Sequence, residues 1–231
     1  MNRTSLILRL SACALAAATA GTALAGPALS WNLSRDLYLA ASLGHNGNPQ
    51  GANPDNTVWS FLSVPMPQVH TGPYSLLSNF QAPCSGWGGA GTGWCWRNPA
   101  GSLEPAVWTN DQSQTYTTPY IEAGMPHLHP SPNEAVVVRW TSPVAGKIRM
   151  LGIFADVDSA CGNGVKWWID QNTTTVAQSA LNNTSGGDGR MFDKSLTVAI
   201  GDEIKFIVGP GAGGNHVCDT TDLDVLIAQQ Q

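Results

Sequence analysis

The chain has 231 residues, 11 basic and 16 acidic side chains and a formal net charge of −5, and charged residues make up 12% of it. A composition so acidic and so sparsely charged offers no basic patch for nucleic acid or anionic lipid. Its unusual feature is nine tryptophans against four tyrosines and five phenylalanines. Flat aromatic faces suit sugar rings and also fill sandwich cores, so the count alone does not decide between them.

Residues 1–25 read as an export signal of bacterial, alanine-rich type. Arg3 and Arg9 give the positive start, 10–20 the short apolar core, and Ala23 and Ala25 a small-x-small site that predicts cleavage before Gly26. Thr19, Gly21 and Thr22 interrupt a run well below the ~20 apolar residues a membrane span needs. No second apolar span follows, so a secreted product, extracellular or periplasmic, is expected. Cleavage leaves 231 − 25 = 206 residues with 11 − 2 = 9 basic against 16 acidic groups, a net −7, and a length within the range of one all-β domain. It also removes Cys13. The remaining Cys84, Cys95, Cys161 and Cys218 are an even set in an exported chain and read as two disulfides, Cys84–Cys95 and Cys161–Cys218.

In chain order, 26–43 reads as a first strand, because Leu37, Leu39 and Ala41 alternate. The stretch 45–56 is dense in Asn, Pro and Gly and reads as a loop. A strand comes next at 57–64, with Val58 opposite in facing to Trp59 and Phe61. From 65 to 118 regular structure is hard to find beyond two short pieces, 74–80 and 106–109. That stretch reads as a long loop excursion, and excursions of such length tend to be functional. At its centre, between Cys84 and Cys95, glycines surround Trp87 and Trp94, with Trp96 just outside. A bridge would supply the rigidity that glycine withholds. Two readings stand: a stacking platform for sugars on Trp87, Trp94 and Trp96, or a stapled loop whose tryptophans cover the sandwich edge.

His127 and His129 lie two apart, so on an extended segment both rings point the same way. With His45 or His70 and a carboxylate such as Glu122 or Glu134 they could share a transition metal. The alternative is a proline-bounded turn with hydrogen-bonded histidines, since zinc sites need three or four convergent ligands.

From Glu134 onward apolar residues alternate, at Val136, Val138 and Trp140, at Ile148, Met150 and Phe154, and at Ile204, Phe206 and Val208, with Gly or Pro at the breaks. This predicts half-buried antiparallel strands and an all-β, two-layer antiparallel β-sandwich with little helix. Asp156 and Asp158 end one strand near Cys161; Asp219, Asp222 and Asp224 surround the last one after Cys218. The bridge would gather both groups at one edge, where several carboxylates suit Ca²⁺ or serve as turn caps.

The run Val137-Val138-Arg139-Trp140-Thr141-Ser142-Pro143, the segment Gly201-Asp202 through Val208-Gly209 and the closure 219–227 together resemble secreted bacterial jelly-roll domains. They are similar to calcium-supported carbohydrate-binding modules of the galactose-binding-like kind. The resemblance spans about 31–227, strongest from 134, and departs from the pattern at Ser131. It implies a polysaccharide partner and a structural Ca²⁺, with Asp156, Asp158, Asp222 and Asp224 as the corresponding acids. No Gly-x-Ser-x-Gly elbow, His-Glu-x-x-His or phosphate loop is present. The sequence therefore favours a secreted carbohydrate-binding protein. The alternatives are a metal-dependent lyase or hydrolase using the His127/His129 region, and a structural extracellular or envelope protein. Glu104, Glu122, Glu134, Asp111, Asp188 and Asp193 are the loose carboxylate candidates for such an enzyme.

Overall fold

Alternation of side chains along extended segments sorts this chain into two layers. The structure is a computed structural model that describes residues 29–44, 48, 58–84, 93–99, 102–111, 114–115, 120–121, 123–158, 161–182 and 189–230. The expected signal at 1–25, His45, Trp87, Glu122 and Asp188 lie outside the described residues. The elements are β1 (Ser30–Asn32), α1 (Leu33–Ser42), β2 (Trp59–Pro65), β3 (Ser75–Leu76), β4 (Asn79–Gln81), β5 (Gly93–Arg97), β6 (Ala106–Asn110), β7 (Gln114–Thr115) and β8 (Tyr120–Ile121). They continue with β9 (His127–His129), β10 (Glu134–Thr141), β11 (Gly146–Asp156), β12 (Val165–Gln171), β13 (Thr174–Leu181), β14 (Gly189–Val198), β15 (Glu203–Gly209) and β16 (Thr221–Gln229). The first sheet runs β14-β11-β16-β9-β6-β5-β4, with β1 also on β16; the second runs β13-β12-β15-β10-β2-β3. Every pairing in both is antiparallel. The expected all-β sandwich is what forms.

Its core is the set of inward faces. Val136, Val138 and Trp140 of β10 and Ile204, Phe206 and Val208 of β15 meet Ile148, Met150 and Phe154 of β11 and Leu223, Val225 and Ile227 of β16. Phe154 stacks on Trp167 across the layers at 4.6 Å. Each fully buried side chain of this size contributes roughly 1.5–3 kcal/mol. The second sheet is buried on its outer face too. Val137, Ala135, Ile207, Leu62 and Val64 lie under Met66, Val69, Tyr74 and Leu76, contributed by a strap over 66–76. The strap explains why β10 reads as a near-continuous apolar run rather than a simple alternation.

Three expectations are corrected. Residues 33–42 form a helix, not a strand: Leu33, Leu37, Ala40 and Ala41 share one buried face, and that helical spacing outweighs the alternation of Leu37, Leu39 and Ala41. Asn32 caps it, its side chain accepting the Arg35 N–H at 2.8 Å, and Gly44 ends it at φ 69°. The helix touches β16 and β6, filling the gap beside the three-residue β9. Asn32→Ala is expected to lower stability by about 1 kcal/mol, read as a shift in the thermal midpoint.

Within the 65–118 excursion the described residues hold more strand than expected. Besides the two pieces expected, β5 pairs with both β4 and β6, so these three strands extend the first sheet. The third correction concerns Trp96, one of the residues assigned to the platform: it is fully buried, between Phe61 at 4.8 Å and Phe80 at 5.1 Å. Among the described residues no helix is long and apolar enough to cross a membrane.

Candidate functional site

Face parity on the first sheet decides which polar groups can meet. On β16, Leu223, Val225 and Ile227 point inward, so Asp222 and Asp224 lie on the outer face. On β11, Phe154 is inward, which puts Asp156 on the opposite parity from Asp222. The four aspartates expected to share a cation therefore separate. Asp222 accepts from His127 Nδ1, and Asp224 Oδ1 accepts from the Ser34 hydroxyl at 2.9 Å. Asp222 lies at the start of β16 beside Asp156 but faces the other way, and Asp224 lies two residues further from the acidic strand end.

That end is drawn together by the Cys161–Cys218 bridge, and Cys84 pairs with Cys95 as expected. Asp156 Oδ1 accepts the Asp158 N–H at 2.9 Å. Asp219 Oδ2 accepts the Gly211 N–H at 3.3 Å, while its Oδ1 is buried with no partner among the described residues. Burial pushes the Asp219 carboxyl up to about 7; the Gly211 N–H works against that, and the negative charges of Asp156, Asp158 and Glu104 add to it. Burial also raises Asp158. Among the described residues the one convergent set of three donors is Asp158, Cys161 and Cys218, and its two sulfurs are already bonded to each other.

On the outer face nearby, His127 and His129 do point the same way, both flanking Trp108, with ring centroids at 5.3 and 6.5 Å. Their Nδ1 atoms are taken up by separate hydrogen bonds, the second of the two readings of this pair. His127 is fully buried and committed to Asp222 through Nδ1, leaving Nε2 without a partner among the described residues. His129 Nδ1 donates to the Pro130 carbonyl at 2.8 Å. Burial lowers the His129 pKa against the pull of Glu104. Glu104 sits between two histidines, 3.7 Å from His129 and 3.1 Å from His216. His216 carries no local signal of this role, because only the return of the 210–218 loop brings it there. Glu134 is elsewhere: it begins β10 in the second sheet and accepts from the Ser63 hydroxyl at 3.0 Å.

Of the platform tryptophans, Trp94 is half-buried and meets Tyr38 of α1 edge-on at 5.7 Å. Tyr38 in turn lines a hollow of about 500 Å³ together with Ser34, Arg35, Leu39, Asp111 and Gly124. Arg35 is held there by Asp36 at 2.7 Å.

No family model matches the chain, and no curated protein matches it. Among solved structures it is similar to a CBM51 module of Clostridium perfringens GH95 in complex with methyl-galactose. The identity is 10% and the TM-score 0.33, over 51% of this chain and 78% of that one. It is also similar to the M60 catalytic domain with two CBM51 domains of Clostridium perfringens ZmpB. There the identity is 13% and the TM-score 0.35, over 52% of this chain and only 12% of the other. A third likeness is to a CBM36 module in complex with calcium and xylotriose, at 14% identity and a TM-score of 0.27, over 51% and 87% of the two chains. Likenesses at this level do not reach individual residues.

Proposed function

We propose that the protein is an exported module that binds a neutral or weakly basic polysaccharide at the hollow beside α1. The observation that carries this reading is Tyr38. It lines a hollow of sugar size beside Ser34, Arg35 and Asp111, and it meets Trp94, the descending arm of the Trp/Gly loop. Aromatic carbon removed from water by a sugar's C–H face is worth about 25 cal/mol per Å². Hydroxyl, guanidinium and carboxylate groups at the rim satisfy the sugar's hydroxyls. The net negative charge disfavours anionic glycans.

The same reading assigns a structural Ca²⁺ to the acidic strand end. Asp156, Asp158 and Asp219 would hold it, with Asp219 replacing Asp222 and Asp224 of the sequence expectation. All three are carboxylates, the donor type a hard cation takes, and Asp219 offers a buried oxygen with no partner among the described residues. Their oxygens are not all within 4.8 Å of one another in this structure, so binding would draw them together. When bound, the ion neutralises charges that otherwise repel one another.

The test is retardation in native gels containing soluble xylan, galactan or mixed-linkage glucan. Tyr38→Ala is expected to weaken retardation about tenfold with a nearly unchanged melting temperature. Trp94→Ala should weaken it similarly per folded molecule while lowering the melting temperature, because Trp94 packs against the core. Retardation equal to wild type in both variants would remove the hollow from the reading. New reducing ends or unsaturated products in the same mixtures would favour an enzyme. The buried His127–Asp222 pair, with one ring nitrogen unpartnered among the described residues, is then the place to look.

A further inference from the structure

We infer a second saccharide-contact patch, centred on Trp168, on the outer face of the second sheet. Its ligand class rests on the proposed polysaccharide binding, but it shares no residue with the hollow beside α1. Alternation along β12 sends Trp167 and Ile169 into the core and leaves Lys166, Trp168 and Asp170 facing outward. Trp168 is only partly covered, by the strap side chains. Its place is fixed by a close approach: a Cβ at Gly209 would come 2.9 Å from Met66 Sδ and 3.1 Å from the Trp168 ring. Met66 also lines a hollow of about 580 Å³ whose wall includes Lys166, Asn133 and Gly213. The partly exposed indole therefore sits at the edge of an open groove.

Polar groups reach the surface around this indole. Gln178 lies directly across on β13 and is exposed. His70 meets the Trp168 ring edge-on at 5.8 Å. Its Nδ1 lies 2.8 Å from the fully buried Asp170 carboxylate, while the histidine side chain itself is 35% exposed. A buried carboxylate on Nδ1 fixes the tautomer, so Nε2 is the acceptor left for a ligand hydroxyl. The Thr175 hydroxyl adds a further donor or acceptor 3.3 Å from the same ring.

A flat aromatic ringed by an amide, a hydroxyl and an imidazole acceptor fits a neutral pyranose. One C–H face covers the indole while the rim hydroxyls bond outward. An apolar protein partner would instead bury Gln178, Thr175 and His70 without partners and lose their hydration. With two contact patches that share no residue, a single molecule bridges two polysaccharide chains.

The test uses the full chain with soluble xylan, galactan and mixed-linkage glucan, read both by gel retardation and by turbidity. Trp168→Ala and His70→Ala are expected to weaken retardation about tenfold and to abolish turbidity. Gln178→Ala, an exposed change that leaves packing intact, should weaken it severalfold. If all three variants retard and cross-link like wild type, the patch is refuted. If they lose binding while Tyr38→Ala and Trp94→Ala do not, the α1 hollow is refuted and the Trp168 patch stands. Wild type that none of the glycans retards overturns both.

Discussion

Trp96→Ala is expected to lower unfolding stability by about 3–5 kcal/mol, the range for deleting a large buried aromatic. The ring fills the space between Phe61 and Phe80, and β5 offers nothing to close the cavity. Binding per folded molecule should be unchanged, since the residue is fully buried. Chemical denaturation measures the first quantity, and retardation of the folded fraction at low temperature the second. A variant that melts like wild type would show that the strands around Trp96 are packed differently. A variant that keeps its fold and loses glycan would return Trp96 to the platform.

The second large effect belongs to Asp219. Its carboxyl is pushed up to about 7 in the folded chain, against an ordinary value near 4 when unfolded. A raised folded pKa means the native state holds its proton more tightly. Stability is therefore full below about pH 4 and lost as pH rises toward and through about 7, by up to about 4 kcal/mol. In chelator, the Asp219 contribution should fall from pH 4 to about pH 7 and stay low at pH 8. Asp219→Asn should remove that decline and melt higher than wild type at pH 8. Added Ca²⁺ should reverse the ranking, rescuing wild type and leaving the variant unmoved. His129 works in the opposite direction: burial lowers its pKa, so its contribution is lost as pH falls below its ordinary value near 6.5. The wild-type minus variant difference isolates Asp219 from it. A difference that stays flat with pH and with calcium would leave no charge stress at the acidic end.

Much of the sandwich was legible because the inward positions of β10, β11 and β15 recur with a period of two, even where β10 is apolar on both faces, and that period survives in the folded core. The bridges were legible too, Cys84–Cys95 from its short separation. Parity could also have been read further. If Cys95 faces outward toward Cys84, its neighbours Trp94 and Trp96 must face inward, where the structure packs them. The same argument separates Asp222 from Asp156. Helix α1 was harder, since Leu37, Leu39 and Ala41 satisfy a strand pattern while Leu33, Leu37 and Ala41 satisfy a helical one. Strands β4 and β5 have only three and five residues, and their glycine-rich surroundings mask them. Glu104, His129 and His216 meet only through long-range loop return, for which no local pattern exists.

The first sheet owes its continuity to a narrow seam. β9 pairs with β16 at only two positions, Thr221↔Leu128 and Asp222↔His127, while β11 and β16 pair along nine. The β4–β6 edge thus joins the rest of its sheet through one short strand, with the buried His127–Asp222 contact beside it and α1 spanning the junction from β16 to β6. Few ladder bonds hold such a junction, so exchange of the β9 amides is expected to be faster than that of the β11–β16 ladder. A pulling force applied across the first sheet is expected to part it there first.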